Sequence, residues 1–317
     1  MKYMIVKGLK DGQPIDIKCS QLVMGSGDFL RADNMEFSAL ILNKFIEIGG
    51  NTFDTARQYR HSELALAKWM GMRQNRESIT ILTKCCHPTR DEPNKPRVTP
   101  EAITEDLMES LEKLNTNYVD LYALHRDDPN VEVGPIMEAL TKHVRAGRIH
   151  AIGTSNWHLD RIIEANNYAR ENGLLEFTFN SPNLSLAKCK RPRWEGCVSV
   201  NQEMVEWHET TNMPLFSWSS QAGGFFSGRF TPNNLENQEM VEVYYNEENW
   251  MRYERAEKLA EEKDVSTIQV ALSYVLNQKF PTAAVIGPEK IEELLSSYEG
   301  SELFLSEDEV NWLDLKK

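Results

Sequence analysis

The sequence predicts an α/β fold: a closed (β/α)8 TIM barrel with an N-terminal β-hairpin and long loops at its C-terminal face. Three observations predict it. Eight short apolar runs are each followed by a longer amphipathic stretch. The apolar runs are mainly continuous rather than alternating, the pattern of parallel strands covered on both sides. No composition break divides the 317 residues, so one domain over residues 1–317 is expected. A doubly wound open sheet normally carries a glycine-rich turn after its first strand, directly followed by a helix. MGSGDF (24–29) is only a faint version of that turn.

Each element has its own signal. YMIVKGL and PIDIK flank KDGQ, and Asp11-Gly12 marks a hairpin turn. The barrel strands are expected at 21–27, 51–56, 78–84, 119–125, 149–156, 176–182, 214–220 and 282–287. EFSALILNKFIEIGG ends in a glycine pair suited to a helix C-cap. TPEAITEDLMESLEKLN opens with Thr99 as N-cap, Pro100 at the first helical position and acids in the first turn. PIMEALTKHVRAGR and HLDRIIEANNYAREN keep apolar residues at three-to-four spacing. Two insertions stand out: 186–198, basic and aromatic, and 228–249, polar and aromatic. Both follow strands, so both belong at the mouth where barrels of this type place active sites.

Composition narrows the function. Apolar residues are 41% and charged residues 26%, which excludes disorder as the main state. The net charge of −13 argues against nucleic acid or an anionic membrane surface as partner. Five cysteines occur without a CxxC spacing, so a metal site or redox dithiol is not expected, and reduced thiols suit a cytoplasmic location. MKYMIVKGLKDG lacks the apolar stretch of a signal peptide and no run of about 18 apolar residues occurs, so neither a leader nor a membrane span is expected.

Four polar residues fall at successive strand ends: Asp54, Tyr59 in the following loop, Lys84 and His125. Buried together, they demand mutual pairing. The set suits proton transfer to a carbonyl. A tyrosine hydroxyl titrates near 10, too high for free exchange at neutrality. A neighbouring ammonium stabilises the phenolate and lowers that value. A carboxylate keeps the ammonium charged and aimed. A histidine orients the substrate oxygen.

These motifs resemble those of the aldo-keto reductases over nearly the whole chain. GGNTFDTARQY is similar to the family's strand-two motif, with the catalytic Asp and Tyr at Asp54 and Tyr59. ILTK and YVDLYALHR resemble the motifs ending in the catalytic Lys and His, here Lys84 and His125. IHAIGTSN resembles the strand-five motif whose Ser155 and Asn156 bind the nicotinamide carboxamide. The resemblance implies an extended nicotinamide cofactor without a Rossmann domain, and hydride transfer between it and an aldehyde, ketone or alcohol.

The resemblance also implies the remaining cofactor positions. Ser181 stands where the family often has a Gln, and Trp218 where an aromatic stacks on the nicotinamide. Ser219 and Gln221 lie along the pyrophosphate, and Gly223 and Gly224 let the backbone approach it. Gly27 and Gly287 also fall on cofactor positions, with Lys290, Glu293 and Ser297 at the adenosine end. The family often prefers NADP. The stretch Glu289-Lys290-Ile291-Glu292-Glu293 pulls towards NAD, because carboxylates repel a 2′-phosphate while Lys290 offsets them. For substrate, Phe29 and Trp157 are expected as pocket walls beside Tyr59 and His125, with Arg191, Arg193 and Trp194 in the first insertion. The substrate is a small carbonyl or alcohol; neither its identity nor an oligomeric state is written in these motifs.

Two rivals are weighed. A glycosidase on the same barrel needs paired carboxylates, but strands four and seven end in His125 and Ser220. A regulatory module that holds cofactor with little turnover is the alternative, and the intact set of four argues against it.

Overall fold

In the computed structural model, residues 1–27, 30, 33, 35–59 and 61–317 are described. Strands β1 (Tyr3–Lys10) and β2 (Gln13–Ser20) form an antiparallel hairpin, with Lys10 opposite Gln13. The Asp11-Gly12 turn takes φ of 50° and 75°, as a tight two-residue hairpin requires. Eight parallel strands then close a barrel: β3 (Leu22–Gly25), β4 (Thr52–Asp54), β5 (Thr80–Cys85), β6 (Val119–Leu124), β7 (Ile149–Thr154), β8 (Phe179–Asn180), β9 (Leu215–Ser217) and β10 (Thr282–Ile286). They pair in chain order, and β10 returns to β3. Strands β8 and β9 are shorter than the expected 176–182 and 214–220, ending at Asn180 and Ser217.

The crossovers are helical. They include α1 (Met35–Glu47), α2 (Ser62–Arg73), α3 (Pro100–Leu114), α4 (Val133–Arg145), α5 (Leu159–Glu171) and α6 (Gln202–Thr211). Thr99 caps α3 by accepting from the Ala102 N–H at 3.2 Å, with Pro100 at the first position. Helices α7 (Gln238–Tyr244), α8 (Glu247–Lys263) and α9 (Thr267–Leu276) lie between β9 and β10. Helices α10 (Ile291–Glu302) and α11 (Glu307–Leu313) end the chain. The 228–249 insertion is therefore not all loop. Asn237 and Asn246 each accept a backbone N–H three residues on, and these caps start α7 and α8 inside it.

Two apolar layers hold the barrel. The inner one joins Val23, Leu82, Leu121, Ala123, Phe179 and Phe216 to Met4, Val6, Ile17 and Cys19 of the hairpin. The hairpin thus supplies part of the barrel's inner core. The outer layer, including Phe53, Ile81, Tyr122 and Ile152, packs under the helices. All five cysteines are free thiols. Among the described residues, no helix is long and apolar enough to cross a membrane.

Candidate active site

Strand parity places the site. Side chains alternate between faces along a strand. Leu82 points inward, so Lys84 does too; Leu121 and Ala123 point inward, so His125 follows. Phe53 joins the outer layer, which turns Asp54 inward, and Asp54 lies opposite Leu82 in the β4–β5 register. Three polar residues thereby meet at the top of an apolar interior. They are nearly inaccessible: Lys84 is 2% exposed, Asp54 5% and His125 6%.

Burial enforces pairing. The Lys84 ammonium donates to the Asp54 carboxylate and, at 3.0 Å, to the Thr55 carbonyl oxygen. Burial pushes the Asp54 carboxyl up and the Lys84 ammonium down from their ordinary values, and each group's charge opposes the other's shift. The ammonium stands 5.4 Å from the centre of the Tyr59 ring. The Tyr59 and His125 rings meet edge to face at 5.7 Å. His125 is held well below the usual imidazole value, first by burial and then by the charges of Lys84, Arg126 and His87. It is therefore a neutral ring at pH 7, able to hydrogen-bond a substrate oxygen without carrying charge.

Asn156 takes φ of 63°, a left-handed turn that asparagine tolerates. Its amide donates to the His125 carbonyl oxygen at 3.2 Å and to Ser155 Oγ at 3.0 Å, while its oxygen accepts from the Val198 N–H at 3.1 Å. Ser155 Oγ in turn donates to the Ser181 carbonyl oxygen at 2.8 Å. The donors of Ser155 and Asn156 are thus spent within the protein. Ser181 Oγ is buried with no partner. A carboxamide would fit in one sense, with the buried Ser181 hydroxyl as donor to its oxygen and the remaining lone pair of Asn156 as acceptor for its amine.

Trp218 is partly exposed and lies 5.6 Å from Trp194, the rings tilted by 36°. Ser219 Oγ accepts from Arg193 at 2.9 Å, and the Arg193 Nε donates to Glu239 of α7 at 2.7 Å. The two insertions are thereby tied together beside the expected pyrophosphate turn. There Gly223 has φ of 63°, and a Cβ would sit 3.2 Å from Met240 Sδ. Gln221 is half-buried, and Gly27 and Gly287 are exposed at strand ends. At the other end, Glu293 accepts from the Glu289 N–H at 2.8 Å, and Ser297 Oγ donates to the Glu293 carbonyl oxygen at 2.9 Å. Both side chains therefore serve the start of α10, and Lys290 is exposed before it.

One substrate expectation changes. Trp157 is fully buried, donates to the Arg126 carbonyl oxygen at 3.0 Å and packs on Phe177. It is a core residue, not a pocket wall. Phe29 lies outside the described residues. Two residues were not singled out in the sequence. His87 sits 4.8 Å from the His125 ring, and Arg126 directly follows His125. The CCH run just after Lys84 and the HR pair were the available signals.

The chain belongs to the aldo/keto reductase family, whose profile matches residues 21–316. It is an oxidoreductase by that membership. Its relatives include norsolorinic acid reductase B of Aspergillus parasiticus, 28% identical over 94% of this chain and 81% of that protein. The NADP-linked aryl-alcohol dehydrogenase of Phanerodontia chrysosporium is 26% identical, covering 88% of this chain and 75% of its own. An uncharacterised oxidoreductase of Bacillus subtilis is 25% identical over 94% and 92%.

Proposed function

We propose that the protein reduces an aldehyde or ketone with a reduced nicotinamide dinucleotide, or oxidises the corresponding alcohol, with Tyr59 as general acid or base. One observation carries this reading. The Tyr59 ring is close to both the Lys84 ammonium, at 5.4 Å, and the His125 imidazole, at 5.7 Å, and Lys84 is itself fixed on Asp54. The cofactor supplies the hydride, which no side chain can. Ser155, Asn156, Ser181 and Trp218 would hold its nicotinamide end. Ser219, Gln221, Gly223 and Gly224 would follow its pyrophosphate, and the start of α10 its adenosine.

In reduction, the substrate oxygen is held by neutral His125 and takes a proton from Tyr59. The Lys84 ammonium stabilises the phenolate left behind, and Asp54 keeps that ammonium in place. In oxidation Tyr59 accepts the proton. NADPH is the cofactor expected from the family, and the acidic 289–293 stretch weakens that preference. A single-turnover mixing of protein, reduced cofactor and excess carbonyl compound tests the reading. Loss of the reduced nicotinamide's absorbance is expected. Tight cofactor binding with no oxidation across a broad aldehyde panel would favour a binding module instead.

A further inference from the structure

We propose that Arg126 binds an anionic group on the substrate, so that the preferred substrates are carboxylate-bearing aldehydes or ketones. This deepens the proposed function and rests on it. The guanidinium is anchored beside the reacting centre. Its Nη1 donates to the His125 carbonyl oxygen at 2.8 Å, the same oxygen that accepts from the Asn156 amide at 3.2 Å. The Arg126 backbone is pinned by the Trp157 indole, which donates to its carbonyl oxygen. Its side chain runs beneath the 186–198 insertion at Gly196, where φ is 69° and a Cβ would lie 3.2 Å from Arg126 Cδ. Glycine there serves both the turn and the passage of the arginine.

Among the described residues, no carboxylate lies within ion-pair distance of Arg126, and four carboxylates nearby are engaged by other cations. Asp54 holds Lys84, and Asp127 holds Arg161 at 3.3 Å. Asp106 takes Arg97 at 2.9 Å, and Glu109 takes Arg57 at 2.6 Å. Among the described residues this half-buried guanidinium has only a backbone carbonyl as hydrogen-bond partner, so it retains donors for a planar anion. Its charge reaches the site, since it depresses the basicity of His87, His125 and Lys84. Lys84 is neutralised by Asp54, Arg97 by Asp106, and burial holds His87 below its ordinary value, so Arg126 carries the unbalanced charge at this mouth. An anion arriving there supplies the counter-charge that Arg126 lacks.

The test compares 4-carboxybenzaldehyde with its neutral methyl ester, in wild type and in Arg126→Gln. Wild type should favour the carboxylate in kcat/KM, and added salt should shrink the preference. In Arg126→Gln the carboxylate-to-ester ratio should fall by about tenfold or more, the scale of one lost charge-assisted hydrogen bond. Arg126→Lys should keep part of the preference, and it replaces the Gln variant if that one does not fold. Benzoate binding by calorimetry gives a readout without turnover: wild type should bind it and Arg126→Gln should not. An unchanged ratio in a folded variant, or no benzoate binding by wild type, overturns the proposal. So does a variant that loses cofactor affinity while keeping the ratio, since the arginine then serves the dinucleotide. Reduction of the neutral ester reports on Tyr59 chemistry alone. Its failure beside intact benzoate binding would count against the proposed reaction, not against the anion site.

Discussion

The two ends of the expected cofactor track are built on opposite principles. At the ends of β4, β5 and β6, Asp54, Lys84 and His125 are buried, and strand register fixes their directions. At the start of α10, Glu289, Lys290, Glu292 and Glu293 are exposed, and Glu293 mainly secures its own helix. In the buried region an altered charge has nowhere to go, and removing one partner strands the other. In the exposed region water competes for every pair, and a typical exposed ion pair contributes about 0–1 kcal/mol. On the proposed reading, the chemistry would be sharply specified, whereas the choice between two similar dinucleotides would be set by weak, additive contacts.

The contrast can be broken most severely at Lys84. Lys84→Met should reduce turnover by at least about the 10²–10⁴-fold expected for impaired acid–base catalysis. It should also destabilise the fold by roughly 3–5 kcal/mol, the cost of an orphaned buried partner, part of which Asp54 relieves by taking up a proton. Chemical denaturation and the pH–rate profile check both effects. An unchanged profile would show that Lys84 does not set the acidity of Tyr59.

A smaller effect is expected at Ser181. Its hydroxyl has no protein partner, so Ser181→Ala should leave the melting temperature nearly unchanged. Cofactor affinity should weaken by about tenfold, the worth of one hydrogen bond. Tryptophan fluorescence titration, with Trp218 as a reporter, measures it. Equal affinity in both proteins would show that the carboxamide does not use Ser181.

At the exposed end, NADH should be accepted, and any preference for NADPH should stay below about 100-fold, because one lysine faces several glutamates. A larger preference would mean that Lys290, or a residue from another loop, dominates there. The smallest effect concerns pH. His125, His87 and His143 are all lowered, and His208 falls to about 4. Unfolded imidazoles bind protons near 6.5, so in the window below that value the unfolded chain holds more protons. These histidines therefore contribute stability above about 6.5 that declines as pH falls through the window. Imidazole NMR should find His125 neutral at pH about 6, and a charged ring there would contradict the assignment.

Much of this was legible in the sequence because it depends on period and capping. The hairpin follows from Asp11-Gly12, the start of α3 from Thr99-Pro100, and the inward aim of Lys84 and His125 from alternation along apolar strands. What was not legible depends on where the chain turns and whom a charge meets. Trp157 follows Asn156, yet the left-handed φ of Asn156 redirects the backbone and sends the indole into the core. Helices α7 and α8 begin in a polar stretch whose capping residues, Asn237 and Asn246, read equally well as turn residues. Arg126 precedes two aspartates, which suggests local pairing, but Asp127 reaches across to Arg161.

The central claim is that Tyr59 moves the proton and that the buried Lys84–Asp54 pair enables it. Single-turnover oxidation of bound reduced cofactor in Tyr59→Phe, with cofactor affinity titrated in parallel, tests it most directly. The rate should fall by about 10²–10⁴-fold while affinity stays within about twofold of wild type, because the hydroxyl acts on the substrate oxygen alone. A variant retaining more than about half the wild-type rate would contradict the claim and move the acid elsewhere, with His125 the next group to examine.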